Sequence, residues 1–190
     1  MTGRQTRPRR EKRVPKPLDK PRLEELALGY VARFATSSRK LEDYLKRKLR
    51  ERGWEGEDQP PVAATVARYV DLGYIDDAAY AKAKSGGLLR RGYGPRRVSQ
   101  ALGAAGIAED IREDLKAGEA AQRSAALALA RKRRFGPFAA EPVERDKREK
   151  QIAAMLRAGH GFDIVRQVMN AESASEAEQW AAEAQDEDDL

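Results

Sequence analysis

The sequence predicts an all-α protein built as an elongated, curved array of three tandem three-helix repeats. Three observations carry that prediction. Almost every segment between residues 23 and 171 places its apolar residues at helical spacing, and no window alternates with the period of two that a half-buried strand needs. Gly53, Gly106 and Gly159 recur at steps of 53 residues, each just past a helical stripe. The 190 residues are 36% charged, 41% hydrophobic and 6% aromatic, which suits thin-cored helical modules better than one thick-cored globule. Small units in tandem touch only their neighbours, so the body extends rather than closing on itself.

The first unit spans 23–75. Leu23, Leu26, Ala27, Tyr30, Val31 and Phe34 form one apolar stripe, with Pro21 near its start and Glu24 and Glu25 in the first turn, where the helix dipole favours anions. Thr36 and Ser37 offer an N-cap for a second helix carrying Leu41, Leu45 and Leu49. Pro60 and Pro61 open a third, with Val62, Val66, Tyr69 and Val70 on one face.

The second unit spans 76–118. Asp76 and Asp77 supply its first cap, and Gly94-Pro95 opens a middle helix that buries Val98, Ala101, Leu102 and Ala105. Ser85-Gly86-Gly87 falls inside its first helix, where each glycine costs about 1 kcal/mol, and a bend is expected there. The third unit spans 119–171. Leu127, Ala130 and Arg131 precede a break at Gly136-Pro137; Ile152, Met155 and Leu156 follow, and Val165, Val168 and Met169 close it.

The helix stops tie these units together. A glycine just past a helix adopts a left-handed conformation without a Cβ clash, and the residue after it packs against the residue four before it. The expected latches are Trp54 with Leu49, Ile107 with Leu102, and His160 with Met155. Gly73-Tyr74, with Tyr69 behind, repeats the device.

The net charge of +6 hides opposed ends. Residues 1–22 hold nine Lys/Arg against Glu11 and Asp19, with four prolines, and are expected to be a disordered basic arm. Residues 172–190 hold eight Asp/Glu and no Lys or Arg, and are expected to be a disordered acidic tail that either serves solubility or competes with nucleic acid for the basic body.

Most chemistries are excluded. With no Cys there is no disulfide scaffold, thiolate metal site or thiol nucleophile. The single histidine, His160, has no Glu-x-x-His or His-x-x-x-His companion, so no metal site is expected. Gly87-Leu-Leu-Arg-Arg-Gly92 has the glycine spacing of a phosphate loop, but Tyr93-Gly94 stands where Lys-Ser/Thr must. No catalytic residue and no cofactor is expected. No stretch reaches the ~20 apolar residues of a membrane span, and no apolar region follows the N-terminal cations as in a secretory signal. A cytoplasmic protein is expected, and a monomer, since no heptad seam or large apolar face demands a dimer.

A pI near 9.6 points to an acidic partner. Each unit has one basic cluster. Lys46, Arg47, Lys48, Arg50 and Arg52 lie opposite the second helix's apolar face; Arg90, Arg91, Arg96 and Arg97 surround Tyr93 at a rigid corner; Arg131, Lys132, Arg133 and Arg134 close a helix of the third unit. A track for phosphates or for an acidic protein groove is expected, binding single- or double-stranded DNA without sequence readout.

The run Leu72-Gly-Tyr-Ile-Asp-Asp-Ala-Ala-Tyr-Ala81, followed by Arg90-Arg-Gly-Tyr-Gly-Pro-Arg-Arg-Val-Ser-Gln-Ala-Leu-Gly-Ala-Ala-Gly-Ile107, resembles the hallmark of the RecX family. Ser38 to Trp54 resembles that family's first-unit helix, and Ile152 to Met169 its third unit. The resemblance implies a non-enzymatic regulator of the bacterial RecA recombinase. Such a protein lies in the groove of the RecA nucleoprotein filament and restrains its ATPase, coprotease and strand-exchange activities, within DNA repair, homologous recombination and the SOS response. The alternative is a stand-alone helical DNA-binding protein using non-specific phosphate contacts. In either case Leu49, Gly53, Trp54, Gly73, Tyr74, Asp76, Leu102, Gly106, Ile107, Met155 and Gly159 are the expected structural residues.

Overall fold

The computed structural model describes residues 16–188, and among them the regular structure is helical. In chain order the helices are α1 (Lys20–Val31), α2 (Ser38–Arg52), α3 (Val62–Asp71), α4 (Asp77–Arg90), α5 (Pro95–Gly103), α6 (Glu109–Asp114), α7 (Glu119–Arg133), α8 (Arg145–Arg157), α9 (Phe162–Asn170) and α10 (Ala174–Asp188). A 3₁₀ turn, Gly136–Phe138, separates α7 from α8. α4 runs unbroken through Ser85-Gly86-Gly87.

Three apolar cores follow one another along the chain. Leu23, Leu41, Leu45, Val66 and Ile75 anchor the first. Ala81, Val98, Leu102 and Ile107 anchor the second. Leu127, Met155, Val165 and Val168 anchor the third. The stops close as the glycine spacing suggests, with φ of 81°, 72° and 96° at Gly53, Gly106 and Gly159. Ile107 N donates to Leu102 O (3.1 Å) and His160 N to Met155 O (3.3 Å), the six-to-one bond of this motif. Leu49 and Trp54 are half-buried against the first core. Tyr74 makes its backbone bond to Tyr69 O (2.9 Å) but its ring is 56% exposed; Ile75, at 3%, is the residue that enters the core.

Both tails differ from expectation. Residues 1–15 of the basic arm lie outside the described residues, but the arm's last part is ordered. Leu18 is fully buried, donates from its N to Gly53 O (3.0 Å) and accepts from Glu55 N (2.8 Å), and α1 begins at Lys20. The acidic segment is not a disordered tail where it is described: it forms α10, packed on α7. Ala177, Ala181 and Ala184 make a small apolar stripe that is buried. Ser173 Oγ accepts from Glu176 N (3.1 Å), and the Glu176 carboxylate accepts from Glu172 N (2.6 Å), so the start of the helix is capped by side chains. α7 supplies the countercharge: Arg131 pairs with Glu178, and Arg123 donates to Trp180 O (2.6 Å) while stacking over its ring at 4.6 Å.

Successive units meet through one recurring joint, in which the start of one middle helix docks on the end of the next unit's middle helix. At the first joint Ser37, the N-cap of α2, accepts from Lys40 N (3.4 Å) and donates from Oγ to Ala105 O (2.6 Å). Asp77 Oδ1 accepts from Ser38 N (2.9 Å), so this carboxylate of the second unit also caps α2. At the second joint Gly94, the N-cap of α5, donates to Ala158 O (2.9 Å) and Arg96 N donates to Gly159 O (3.2 Å). Ala105 and Ala158 hold equivalent places, one residue before their glycines. Orphan donors at one helix start and orphan carbonyls at another helix end thus satisfy each other, and the dipoles run head to tail.

His160 locks the second joint. It is fully buried, and its Nε2 lies 3.0 Å from Gly92 O, which can only accept, so Nε2 carries the proton. Nδ1 is buried with no partner. Burial holds the imidazole below the ordinary value of 6.5, against a smaller opposing effect of the Gly92 bond. Between the folded and unfolded pKa values the unfolded chain binds the extra proton. Stability is therefore full above about pH 6.5 and falls as pH drops through the folded value, with a slope no steeper than one proton, about 1.4 kcal/mol per pH unit. Because His160 is the sole histidine, urea melts across this range should show the slope in the natural chain and a flat profile in His160→Gln.

Candidate polyanion-binding site

The three basic clusters differ sharply once partners are counted. On α2, Lys46 lies 2.6 Å from Glu42, Arg47 3.6 Å from Glu51, and Lys48 2.5 Å from Glu51. The hydrogen bond from Lys48 holds the Glu51 carboxyl below the usual carboxylate range, opposed by desolvation and reinforced by the charges of Lys48, Arg47 and Arg50. These are surface pairs three or four residues apart that add little to stability, but they offset most of the field that the run Lys-Arg-Lys suggests. Arg50 is exposed and outside these pairs.

The second and third clusters merge. Gly92, at φ 86°, ends α4 so closely against α7 that a Cβ there would sit 2.8 Å from Leu129 N. This brings together the C-terminal ends of α4, α7 and α8. Each end carries cations in or next to its last turn, where the negative pole of the helix favours them. The result is a cavity of about 290 Å³ lined by Arg91, Tyr93, Lys132, Arg133 and Arg157, with Leu129 and Phe135 at its apolar wall. A second cavity of about 440 Å³ shares Arg133 and Phe135 and adds Arg134, Lys147 and Lys150 against the lone carboxylate of Glu141.

Seven cations, Arg91, Lys132, Arg133, Arg134, Lys147, Lys150 and Arg157, therefore line two adjoining cavities that together make one basic depression. All are exposed, and among the described residues none lies within 4.0 Å of a carboxylate. Arg134 stops α7 in the left-handed region (φ 56°), where every other described residue with positive φ is glycine. That conformation is disfavoured for a residue with a Cβ, and it places an arginine on the rim of the second cavity. Like charges held this close, unpaired, make a strong attraction for a polyanion.

The remaining expected residues fall elsewhere. Arg131 is taken by Glu178 of α10 and stacks over Phe138 at 5.4 Å. Arg96 lines a separate cavity of about 330 Å³ between α5 and α6, among Glu109, Arg112, Glu113 and Lys116. Arg90 and Arg97 are exposed and line neither part of the basic depression. Lys147, Lys150 and Arg157 were not singled out from the sequence. The signal for Lys147 and Lys150 is their i, i+3 spacing on a helix whose start, Arg-Asp-Lys-Arg-Glu-Lys, interleaves carboxylates with its cations and so does not read as a basic run. Among the described residues no group of His, Cys, Asp and Glu could hold a metal, and no helix is long and apolar enough to cross a membrane.

Comparison with known proteins agrees with this architecture. A family model described as the second three-helix domain of RecX matches residues 76–115. The regulatory protein RecX of Myxococcus xanthus (strain DK1622) is 33% identical over 161 residues, covering 80% of this chain and 86% of that protein. That of Stenotrophomonas maltophilia (strain R551-3) is 34% identical over 163 residues, covering 85% and 86%. The crystal structure of RecX from Lactobacillus salivarius shares the fold with a TM-score of 0.62 at 21% identity, over 78% of this chain and 93% of that one.

Proposed function

This chain belongs to the RecX family of regulatory proteins, and from that premise we propose that it restrains the RecA recombinase by lying in the groove of the RecA nucleoprotein filament. The observation that carries the reading is the unpaired basic depression, one part of it where α4, α7 and α8 end and the other between the end of α7 and the first turns of α8. A filament groove offers DNA phosphates and acidic protein surface, and both are polyanions. Arg91, Tyr93, Lys132, Arg133 and Arg134 make the principal contacts, joined by Lys147, Lys150 and Arg157. Lys46, Arg47 and Lys48 contribute less, because Glu42 and Glu51 already hold them. The repeats 23–75, 76–118 and 119–171 act as rigid units whose joints set the curvature that follows the groove. Occupying the groove hinders the subunit motions and substrate access that ATP hydrolysis, coprotease action and strand exchange require.

The test is RecA's single-strand-dependent ATPase at physiological salt with substoichiometric amounts of this protein. Hydrolysis should fall. Unchanged hydrolysis while the protein is bound to DNA would sink the reading and leave a stand-alone DNA-binding protein.

A further inference from the structure

The first unit carries a second surface that the basic depression does not explain. Between α1 and α2, Phe34, Tyr30 and Tyr44 form a ladder. Tyr30 and Tyr44 are stacked, with centroids 4.3 Å apart and planes 20° from parallel, and Phe34 lies 5.4 Å from Tyr30. The Arg47 guanidinium continues it, 5.5 Å from the Tyr44 centroid. These three rings are a quarter of the aromatic residues of a chain with Trp 2, Tyr 6 and Phe 4. Two of them are half-buried on the first core, but Phe34 is 57% exposed and presents an open end of the ladder to solvent.

The ladder lines a groove of about 790 Å³ whose other walls include four arginines and one glutamate. Arg33 has no carboxylate partner among the described residues, and Arg52 is held by its Nε to Lys16 O (2.9 Å). Open aromatic faces beside guanidinium groups are the recognition chemistry of single-stranded nucleic acid: bases stack on the rings, and phosphates track the cations. Duplex DNA keeps its bases paired and cannot use an aromatic ladder in this way without unstacking. An acidic peptide would pair with the arginines and leave the ring faces unused.

We propose that this groove binds single-stranded nucleic acid by base stacking on Phe34, with Arg33 and Arg52 holding adjacent phosphates. The proposal does not rest on the action toward RecA, and it is tested without that protein. Fluorescence anisotropy would compare a labelled oligothymidylate with an abasic oligonucleotide of equal length. The full chain should prefer oligothymidylate by at least about fivefold, the low end of one base stacked on an aromatic ring. Phe34→Ala should bring oligothymidylate down to the abasic level while leaving abasic binding unchanged, and Phe34→Trp should retain the preference. Circular dichroism of each variant checks that the fold persists, and Arg33→Ala, which leaves the ladder intact, should weaken both probes alike. Equal binding of the two probes by the natural chain overturns the proposal. So does a preference that survives Phe34→Ala, or a loss of binding in Phe34→Ala that is equal on the two probes.

Discussion

Replacing Gly159 by alanine is expected to uncouple the third unit from the second and to cost more than about 3 kcal/mol of stability. Two effects add. At φ 96° an L side chain is strained, which costs roughly 1–2 kcal/mol. The new Cβ would also lie 2.5 Å from Arg97 N and 2.8 Å from Arg97 Cβ. The first of these neighbours is backbone at the start of α5, so no rotamer change relieves the overlap and the two helix ends must part. Parting them breaks the Gly94 N to Ala158 O and Arg96 N to Gly159 O bonds and exposes His160. Gly94→Ala should act similarly, since its Cβ would lie 2.4 Å from Gly159 C and O. Two further substitutions separate the contributions. Gly53→Ala meets nothing within 4 Å at φ 81°, so it should cost only the conformational part. Gly29→Ala, on an exposed face inside α1 with open space around it, should stabilise by up to about 1 kcal/mol. For a chain of this size 3 kcal/mol lowers Tm by roughly 6–12 °C, readily seen in thermal melts followed by circular dichroism. A Gly159→Ala protein that melts no lower than Gly53→Ala would show that the joint does not depend on backbone contact.

That series also marks what could be read before the structure. The positive φ of Gly53, Gly106 and Gly159 was legible because a helix stop is a local event with a local signature. The second duty of these stops, Gly106 admitting the Arg39 side chain and Gly159 the Arg97 backbone of the neighbouring unit, was not. Its partners, Arg39 and Arg97, stand far off in sequence, and a glycine looks the same whether it serves conformation or contact. His160 misled for the same reason. As an apolar latch it is a poor match, yet its ring reaches back to Gly92 O, and that bond is invisible along the chain. Over 172–190 the eight carboxylates outweighed the alanine stripe that α10 buries, although alanine is the best helix former and suits close packing on α7. Charge runs were the weakest guide to the site. Lys46-Arg47-Lys48 looked as potent as Arg131-Lys132-Arg133-Arg134 until Glu42 and Glu51 proved to share its face. By contrast Arg91 and Lys132 meet only because Gly92 lets α4 approach α7.

Removing three charges from the basic depression is expected to cost far more binding than removing three charges from paired positions. The first variant is Arg91→Ala, Lys132→Ala and Arg133→Ala, which empties the part lined by the ends of α4 and α7. The second is Lys46→Ala, Lys48→Ala and Lys116→Ala, whose ammonium groups each lie beside a glutamate. Both lower the net charge by the same amount, so any long-range effect of overall charge is common to them. Cations that contact phosphates release counterions, and each contact contributes about 0.7 to log K against log salt on single strands and about 0.9 on duplex. The first variant should therefore lower that slope by about two and weaken DNA binding by roughly ten- to a hundredfold at physiological salt. Its restraint of RecA's ATPase should weaken with it. The second should keep its slope within about half a unit of the natural chain, because its cations already have anionic partners and gain little from a phosphate. All six side chains lie on the surface or half-exposed, so both variants should melt close to the natural chain. Equal losses in the two variants would mean that net charge, and not the convergence of three helix ends, carries the attraction to a polyanion.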